Sequence, residues 1–259
     1  MGSHLIIVSH YPAASGAFGS LCRLLGQLTA VDSDVVVVCN GSISAKQRSF
    51  LQCEALCAEV LVRPNEGMNI GAWRYGLQAC PGSQYYHFLQ DESILISKQF
   101  LPVYESFLAK KDVGLVGDSL NLKWNKPWND LARSTLNFKI LADPGNYLDR
   151  FAADSLLSVN SVDRVTYYRQ KLKQWRCPEG SSAIHMRALN WSLSSTVLND
   201  LDFPIGFSKQ ECIAAEIYVS RFLISRGLKV IQPSKQPFSY VGHAEWMNPH
   251  DPQRKSNIK

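Results

Sequence analysis

The stretch that decides the fold is VLVRPNEGMNIGAWRYGLQACPGSQYYHFLQDESILI, residues 60–96. An apolar run, a polar turn containing Gly67, a segment with helical spacing and a second apolar run follow one another. This order predicts a strand, a turn, a helix and a strand. The second run ends in Asp91 and Glu92, and an ionised carboxylate at the end of a buried strand needs a partner to offset its lost hydration. Because a metal ion or a ligand is the usual partner, we interpret this strand end as part of a functional site.

The same alternation of apolar runs and amphipathic segments extends over the N-terminal half. It predicts an α/β fold with a mostly parallel, Rossmann-like sheet flanked by helices. The predicted strands are residues 5–9, 35–39, 60–62, 86–89 and 113–116, and the predicted helices are residues 18–28, 45–57, 70–80 and 98–110. In such a sheet, ligands bind beyond the carboxyl ends of the strands, so the polar residues that follow each strand are the candidate site.

The pattern changes after Asp118. Residues 119–135 combine tryptophans with Asn, Lys and Pro without a clear period, which predicts a long loop. Further on, the spacing predicts helices over 162–175 and 209–226, a strand entering a helix over 181–193, and a last strand over 228–231. We therefore expect a single domain with two halves, residues 5–118 and 119–249, and a flexible tail over 250–259.

Composition limits the classes of partner. A net charge of +5 fits an anionic ligand but is smaller than that of a typical nucleic-acid-binding surface, so we expect no nucleic-acid partner. The seven cysteines show no CxxC pair, which is typical of reduced core cysteines in a cytoplasmic protein. No apolar stretch approaches the ~20 residues that cross a bilayer, so we expect a cytoplasmic protein that associates with a membrane only peripherally, if at all.

Several common motifs are missing from the sequence. It contains neither GxGxxG after the first strand, nor GxxxxGK[ST], nor GxSxG, which disfavours dinucleotide-binding, P-loop and serine-hydrolase interpretations. The carboxylates of Asp91 and Glu92 suit Mg²⁺ or Mn²⁺, which prefer oxygen ligands. The alternative is that these two acids only cap the helix that begins near Ser97.

The stretch from residue 62 to residue 93 resembles a known family. VRPNEGMNIGAWRYGL followed by YYHFLQDES is similar to the nucleotide-sugar half of GT-A glycosyltransferases, in particular family 2 and the rhamnan-synthesis type. Their pattern is roughly RxNxGxDxGaw…GL, followed by an apolar strand ending in a DxD-like or NDS-like element. The resemblance covers residues 5–118 and, more faintly, 180–231. It implies transfer of a sugar from a UDP-, GDP- or dTDP-linked donor to a hydroxyl of a glycan or lipid-linked glycan.

The resemblance also implies which residues form the site. The acidic strand end would ligate Mn²⁺ or Mg²⁺ through Asp91 and Ser93, with His243 as a late third ligand, and Asp91 would act in catalysis. The donor would be held by the ends of the first two strands and by the RxNxG turn. The implied donor-binding residues are Ser9, Tyr11, Asn40, Ser42, Arg63, Asn65, Gly67 and Asn69.

The chain departs from the family pattern at three places. Asn40 and Asn69 stand where the family often has Asp, and DxD has become Asp91-Glu92-Ser93. An amide keeps the hydrogen-bonding capacity of a carboxylate but loses its charge, so the sequence leaves metal dependence open. Without a metal, cationic side chains would have to neutralise the diphosphate, and those available are Arg63, Arg74, Lys123 and Lys126.

The second half is expected to provide the catalytic base. Family 2 enzymes carry a helix of the approximate pattern EDxxxxxRxxxxGyxV, and AEIYVSRFLISRGLKV is similar to it. Counting back from Gly227 makes Glu216 the candidate base, with Glu211 as the second choice on the same helix. A carboxylate base fits inverting transfer, because it takes the proton of the attacking hydroxyl. The alternative is that Glu216 is an exposed helix residue paired with a cation.

Tryptophans in the loop after Asp118 suggest an acceptor surface. The rings of Trp124 and Trp128 would stack on the apolar faces of sugar rings. Two other functions remain open at this stage: a nucleotidyltransferase that uses the same carboxylates, and a non-catalytic module that binds a nucleotide-sugar or a glycan.

Overall fold

A computed structural model describes residues 2–53, 57, 59–134 and 164–247. The tail predicted over 250–259 lies outside these residues, as do the first two residues of the helix predicted over 162–175. Within the described part, no helix combines the length and the apolar character that a membrane span needs.

Nine strands and nine α-helices are labelled in chain order over the described residues. The strands are β1 His4–His10, β2 Asp34–Asn40, β3 Glu59–Arg63, β4 Tyr85–Gln90, β5 Ser93–Leu95, β6 Val113–Val116, β7 Asn190–Ser194, β8 Lys229–Ile231 and β9 Val241–His243. The helices are α1 Ala17–Leu28, α2 Ala45–Cys53, α3 Met68–Ala79, α4 Phe100–Leu108, α5 Trp128–Ser134, α6 Arg164–Gln174, α7 Ser195–Leu198, α8 Lys209–Ser225 and α9 Ala244–Met247, with a 3₁₀ turn at Leu122–Trp124.

Seven strands form one sheet in the order β3-β2-β1-β4-β7-β6-β8. All of its neighbouring pairs are parallel except those of β7, which runs antiparallel to both β4 and β6. This confirms the predicted α/β, mostly parallel sheet. Strands β5 and β9 form a separate antiparallel ribbon beside the carboxyl end of β4. The antiparallel direction of β7 was not predicted, because an apolar run does not show in which direction a strand will pair.

Helices cover both faces of the sheet, and the core therefore has two layers. Alternate residues of β1 contribute to each layer: Leu5 and Ile7 pack on one face, and Ile6 and Val8 on the other. Burial on both faces explains why the parallel strands are continuous apolar runs instead of alternating ones.

Helix α3 is fixed to the centre of the sheet by Trp73. This side chain is fully buried, its indole N–H donates to the Leu89 carbonyl at 2.9 Å, and its ring lies 5.3 Å from that of Trp191. The turn before the helix lies directly on it, because a Cβ at Gly71 would stand 1.9 Å from the Glu66 carbonyl oxygen. A glycine at this position is thus required for the turn to approach the helix.

His87 occupies the buried centre of β4. Its Nδ1 lies 2.7 Å from the Ser192 hydroxyl and its Nε2 lies 3.0 Å from Nδ1 of His4. Burial, with a smaller contribution from His4, lowers the pKa of His87 to about 3. The folded protein therefore holds this imidazole neutral at every pH near neutrality.

We expect acid to destabilise the fold through His87. The unfolded chain takes up a proton on this side chain near pH 6.5, whereas the folded chain resists until about pH 3, so stability is lost as the pH falls between these values. The loss from one such group is about 1.4 kcal/mol per pH unit, or roughly 2 kcal/mol at pH 5. Urea unfolding at pH 7 and pH 5 measures it. The His87→Gln protein, although less stable at pH 7, should lose less on acidification than the wild type, and equal losses would refute the assignment.

Candidate functional site

The turn after β3 is held in shape by a hydrogen-bonded arginine at the carboxyl edge of the sheet. Arg63 donates to Oδ1 of Asn40 at 2.6 Å and to the Glu66 carbonyl at 2.8 Å, and Nδ2 of Asn40 donates to the Met68 carbonyl at 2.9 Å. Burial lowers the pKa of Arg63. Asn40 and Arg63, both predicted to bind the donor, therefore fix the path of the turn.

The other predicted donor residues lie along the same edge. The Ser9 hydroxyl donates to Oδ1 of Asn69 at 2.9 Å, which ties the end of β1 to the first turn of α3. Oδ1 of Asn65 is buried and has no hydrogen-bond partner within the described part of the chain. Tyr11 and Ser42 are exposed; Tyr11 follows β1 directly, and Ser42 follows β2 after Gly41.

Gly67 has φ 73°, in the left-handed region, and precedes the first residue of α3. No side-chain hydrogen bond caps this end of the helix, and its first turn carries no acidic residue. Helix N-termini favour negative charge because their amide groups are oriented toward the end of the helix. This turn is therefore suited to an anionic group.

Asp91 and Ser93, which follow β4, make hydrogen bonds to neighbouring parts of the protein. Oδ2 of Asp91 lies 2.6 Å from Nδ1 of His10 and 3.3 Å from the Tyr11 amide nitrogen, which donates to it. The Ser93 hydroxyl accepts a hydrogen bond from the Gln90 amide at 3.2 Å. Both side chains are buried, and that of Asp91 fixes the start of the loop after β1.

A cluster suited to a divalent cation lies next to these residues. The ligand atoms of Glu92, His243 and Glu245 all lie within 4.8 Å of one another. Burial lowers the pKa of His243 to about 4, so its imidazole is neutral and able to ligate. Its Nδ1 is buried and has no partner in the described residues, whereas its Nε2 lies 3.4 Å from Glu92. Burial, followed by the charges of Asp91 and Glu245, raises the pKa of Glu92. A bound cation would relieve the repulsion among these carboxylates, and the neutral imidazole could ligate it.

His243 belongs both to the metal site predicted from sequence and to this cluster. The turn at residues 91–92 directs the two neighbouring carboxylates to different partners, so the cluster contains Glu92 and Glu245, whereas the ligands implied by the family resemblance are Asp91 and Ser93. The pairing of Ser93 in β5 with His243 in β9 brings the two segments of the cluster together. No pattern in these three-residue strands indicates that pairing.

The segment that carries His243 is anchored by Asp118. This buried carboxylate accepts hydrogen bonds from the backbone amides of Tyr240 at 2.8 Å and Val241 at 2.6 Å. Burial raises the pKa of Asp118, and these two hydrogen bonds oppose that shift. Asp118 lies two residues after the end of β6, so it connects the cluster to the main sheet.

Glu216 lies in a cavity of about 100 Å³ between α3 and α8. Its Oε2 accepts a hydrogen bond from the Ala188 amide at 3.2 Å. Burial raises the pKa of Glu216 to about 7, opposed by that hydrogen bond and by the charges of Arg187 and Lys209. The other walls of the cavity are Gly67, Met68, Asn69, Ile70, Lys209, Cys212 and Ile213. The structure thus brings the candidate base and the predicted donor turn into one cavity.

Arg187 is a candidate residue that sequence reasoning missed. Its guanidinium donates to the Ser119 hydroxyl at 2.9 Å and to Oδ1 of Asn121 at 3.1 Å, and it lies 4.9 Å from the centre of the Trp246 ring. It is partly buried and its charge acts on Glu216. No local motif surrounds it, so only the tertiary structure shows its place between Glu216 and the helix that bears Glu245.

Gln90 connects the two parts of the site. Its Nε2 donates to the Ala188 carbonyl, and its Oε1 lies 3.1 Å from Nε2 of His243. Ala188 is also the residue whose amide binds Glu216. A single side chain at the end of β4 therefore links the cation cluster to the backbone beside the candidate base.

Other predicted residues have partners that keep them away from this cavity. Glu211, the second choice for the base, pairs with Lys171 at 2.6 Å and accepts a hydrogen bond from the Phe207 amide at 2.6 Å. Trp128 is 5% exposed and donates to the Glu179 carbonyl.

Trp124 is half-buried, with its ring 5.7 Å from that of Tyr168 and 5.6 Å from that of His185. Arg74 pairs with Asp202 at 3.2 Å. The remaining predicted cations, Lys123 and Lys126, are exposed in the loop between β6 and α5.

No family model matches the sequence, and no curated protein matches it. Among solved structures, a mannosyltransferase from Pyrobaculum calidifontis in complex with GDP-Man and Mn²⁺ is similar, with a TM-score of 0.54 and 14% identity over 90% of this chain and 55% of that chain. This chain therefore spans about half the length of that enzyme. Glucosyl-3-phosphoglycerate synthase from Mycobacterium tuberculosis, in complex with Mn²⁺, UDP and glucosyl-3-phosphoglycerate, matches with a TM-score of 0.44 and 15% identity over 93% of this chain and 71% of that chain. The strand order and the match to the mannosyltransferase show that the chain has the GT-A glycosyltransferase fold.

Proposed function

We propose that the protein is a glycosyltransferase that moves a sugar from a nucleotide-diphosphate-sugar donor to a hydroxyl of a glycan or lipid-linked glycan, with inversion. The observation that carries the proposal is the cavity in which Glu216 faces the Gly67–Ile70 turn. A base and an anion-binding turn in one cavity are what sugar transfer from a diphosphate donor requires.

The donor would lie across the carboxyl ends of β1 to β4. The N-terminus of α3 favours the diphosphate, and Asn65 offers a buried oxygen that has no hydrogen-bond partner among the described residues. Tyr11 and Ser42 are exposed beside the strand ends where the nucleoside would bind, and Asn40 and Arg63 hold the turn in position. The donor complex of the similar mannosyltransferase, GDP-Man with Mn²⁺, supports this class of donor.

Glu92, His243 and Glu245 would hold Mn²⁺ or Mg²⁺. The bound cation would supply positive charge to the diphosphate as it leaves. Gln90 keeps the His243 ring in place through its Oε1, and Asp91 fixes the Tyr11 backbone through a hydrogen bond. In this arrangement Asp91 would not touch the substrate; it would be a positioning residue that holds the backbone at Tyr11.

Glu216 would accept the proton of the acceptor hydroxyl as the hydroxyl oxygen attacks the sugar. With a pKa of about 7, this carboxylate exchanges protons readily near neutrality. Arg187 and Lys209 lower that pKa and keep part of the population ionised. The acceptor would reach Glu216 from the side of the loop after β6, near Trp124, and the net charge of +5 suits an acceptor presented on an anionic membrane surface.

A thermal-shift screen tests the proposal directly. A ligand that binds only the folded chain raises its melting temperature, by an amount equivalent to about 2.7 kcal/mol at a hundred times Kd. One sugar nucleotide among UDP-, GDP- and dTDP-sugars should stabilise the protein more in the presence of Mn²⁺ than in its absence. If no sugar nucleotide stabilises it under either condition, the proposed function is wrong.

We expect Glu216→Gln to abolish transfer while leaving donor binding intact. General bases contribute about 10²- to 10⁴-fold, so kcat should fall by at least 10²-fold. In the wild type, kcat/KM should decrease tenfold per pH unit below about pH 7, because protonated Glu216 accepts no proton. Initial rates with radiolabelled donor measure both effects. Glu105→Gln, an equivalent change on α4 away from the cavity, is the control and should behave like the wild type.

We expect Glu92→Gln to weaken Mn²⁺ binding by about tenfold or more, because it replaces a charged ligand with a neutral one. Electron paramagnetic resonance of free Mn²⁺ during a titration measures the affinity without any need for turnover. Ser93→Ala is the matched control, since its hydroxyl accepts a hydrogen bond from Gln90 and lies outside the cluster. The opposite order of effects would place the metal at the ligands predicted from the sequence.

A further inference from the structure

A second cavity, of about 310 Å³, lies on the other side of α8 from Glu216. Arg74, Trp175, Arg176, Asp202, Ile205 and Tyr218 line it, and its volume is within the range of small-molecule sites. Ile205 also packs against the donor turn, since its Cγ2 lies 3.0 Å from the position of a Cβ at Gly67. The loop that carries Ile205 therefore contacts both this cavity and the Gly67 turn that lines the cavity of Glu216.

One arginine of this cavity is fixed and the other is available to a ligand. Arg74 donates to the Phe203 carbonyl at 3.2 Å and pairs with Asp202 at 3.2 Å, so its position is set and its charge is largely balanced. Arg176 is exposed and has no ion-pair partner within the described part of the chain. The cavity thus carries one positive charge in excess.

The backbone of Arg176 adopts a conformation that glycine usually provides. Its φ is 55°, and it ends α6 with the Cys177 amide donating to the Leu172 carbonyl at 2.9 Å. Helices that end in this way normally carry glycine at such a position, because a side chain is strained there. An arginine held in a strained conformation beside a cavity suggests that its side chain is used.

The remaining wall is aromatic. The rings of Trp175 and Tyr218 are perpendicular, with centres 5.9 Å apart, and Trp175 is half-buried. Aromatic faces match the apolar C–H faces of pyranose rings, and the planar groups of Arg74 and Asp202 present donors and acceptors for hydroxyls. Together with the charge of Arg176, the cavity has the chemistry of a site for an acidic sugar.

We propose that this cavity binds a pyranose that carries one anionic group, either a carboxylate or a phosphate. The stacking surface is formed by Trp175, hydroxyls bind Arg74 and Asp202, and the anionic group pairs with Arg176. The bound sugar would belong to the acceptor and would lie next to the sugar that receives the transferred residue. Only this last identification rests on the proposed function. Binding itself requires neither donor nor turnover.

Ligand-observed NMR titration of the full chain tests the proposal with four probes: methyl β-glucuronide, glucose 6-phosphate, methyl β-glucoside and inorganic phosphate. One or both acidic sugars should bind at least tenfold more tightly than the neutral glucoside and inorganic phosphate, and which of the two binds identifies the anionic group. If the glucoside or phosphate binds as tightly as the acidic sugars, or if no probe binds, the proposal is wrong.

Arg176→Gly separates binding from folding. It removes the cationic side chain and relieves the backbone strain, so acidic-sugar affinity should fall at least tenfold while the melting temperature rises by about 2–4 °C. Lys173→Gln removes an equal charge from the same helix without lining the cavity, and it should leave affinity unchanged. Equal affinity in Arg176→Gly and the wild type would overturn the proposal.

The two proposals fail in different ways. Absence of donor binding and transfer in the wild type would contradict the proposed function but would leave the sugar titration unaffected. Absence of acidic-sugar binding in an active transferase would contradict only the second site.

Discussion

The antiparallel pairing of β4 with β7 is the constraint on which the site depends. β4 belongs to the donor half and ends at Gln90, whereas β7 follows directly after the backbone that binds Glu216. Because Leu89 is opposite Asn190, the end of one strand meets the beginning of the other. The candidate base Glu216 and the turn predicted to bind the donor are thereby placed at one edge. A parallel β7 would carry Ala188 to the opposite edge, away from the donor turn.

Most of the N-terminal fold was predictable, because strands buried on both faces are continuous apolar runs and the helices between them have a clear period. The strand predicted over 113–116 has those limits in the structure, and the other four extend one residue further at both ends. The direction of β7 and the existence of β9 were not predictable. Both depend on pairing between residues far apart in sequence, and β9 has only three residues.

The same distinction applies to the site. Glu216 and the turn at Gly67 were predicted from spacing within single segments, and the structure places them in one cavity. Glu245 and Arg187 became candidates only through contacts between segments, and the same contacts favour Glu92 over Asp91 as the carboxylate of the cluster. The choice between the carboxylates of Asp91 and Glu92 depends on which way a turn directs each side chain. Two adjacent acids in a sequence do not indicate in which direction each side chain will lie.

Asp118 adds a consequence for the order in which the protein acquires its parts. The cation cluster combines Glu92 with His243 and Glu245, and the segment bearing His243 is held in place by backbone hydrogen bonds to Asp118. During synthesis, the strands that would hold the donor emerge from the ribosome long before residues 240–245 do. A growing chain therefore has β1 to β4 first, and it gains His243 and Glu245 only after residue 245 has emerged. A chain that stops before residue 243 therefore lacks two of the three side chains of the cluster.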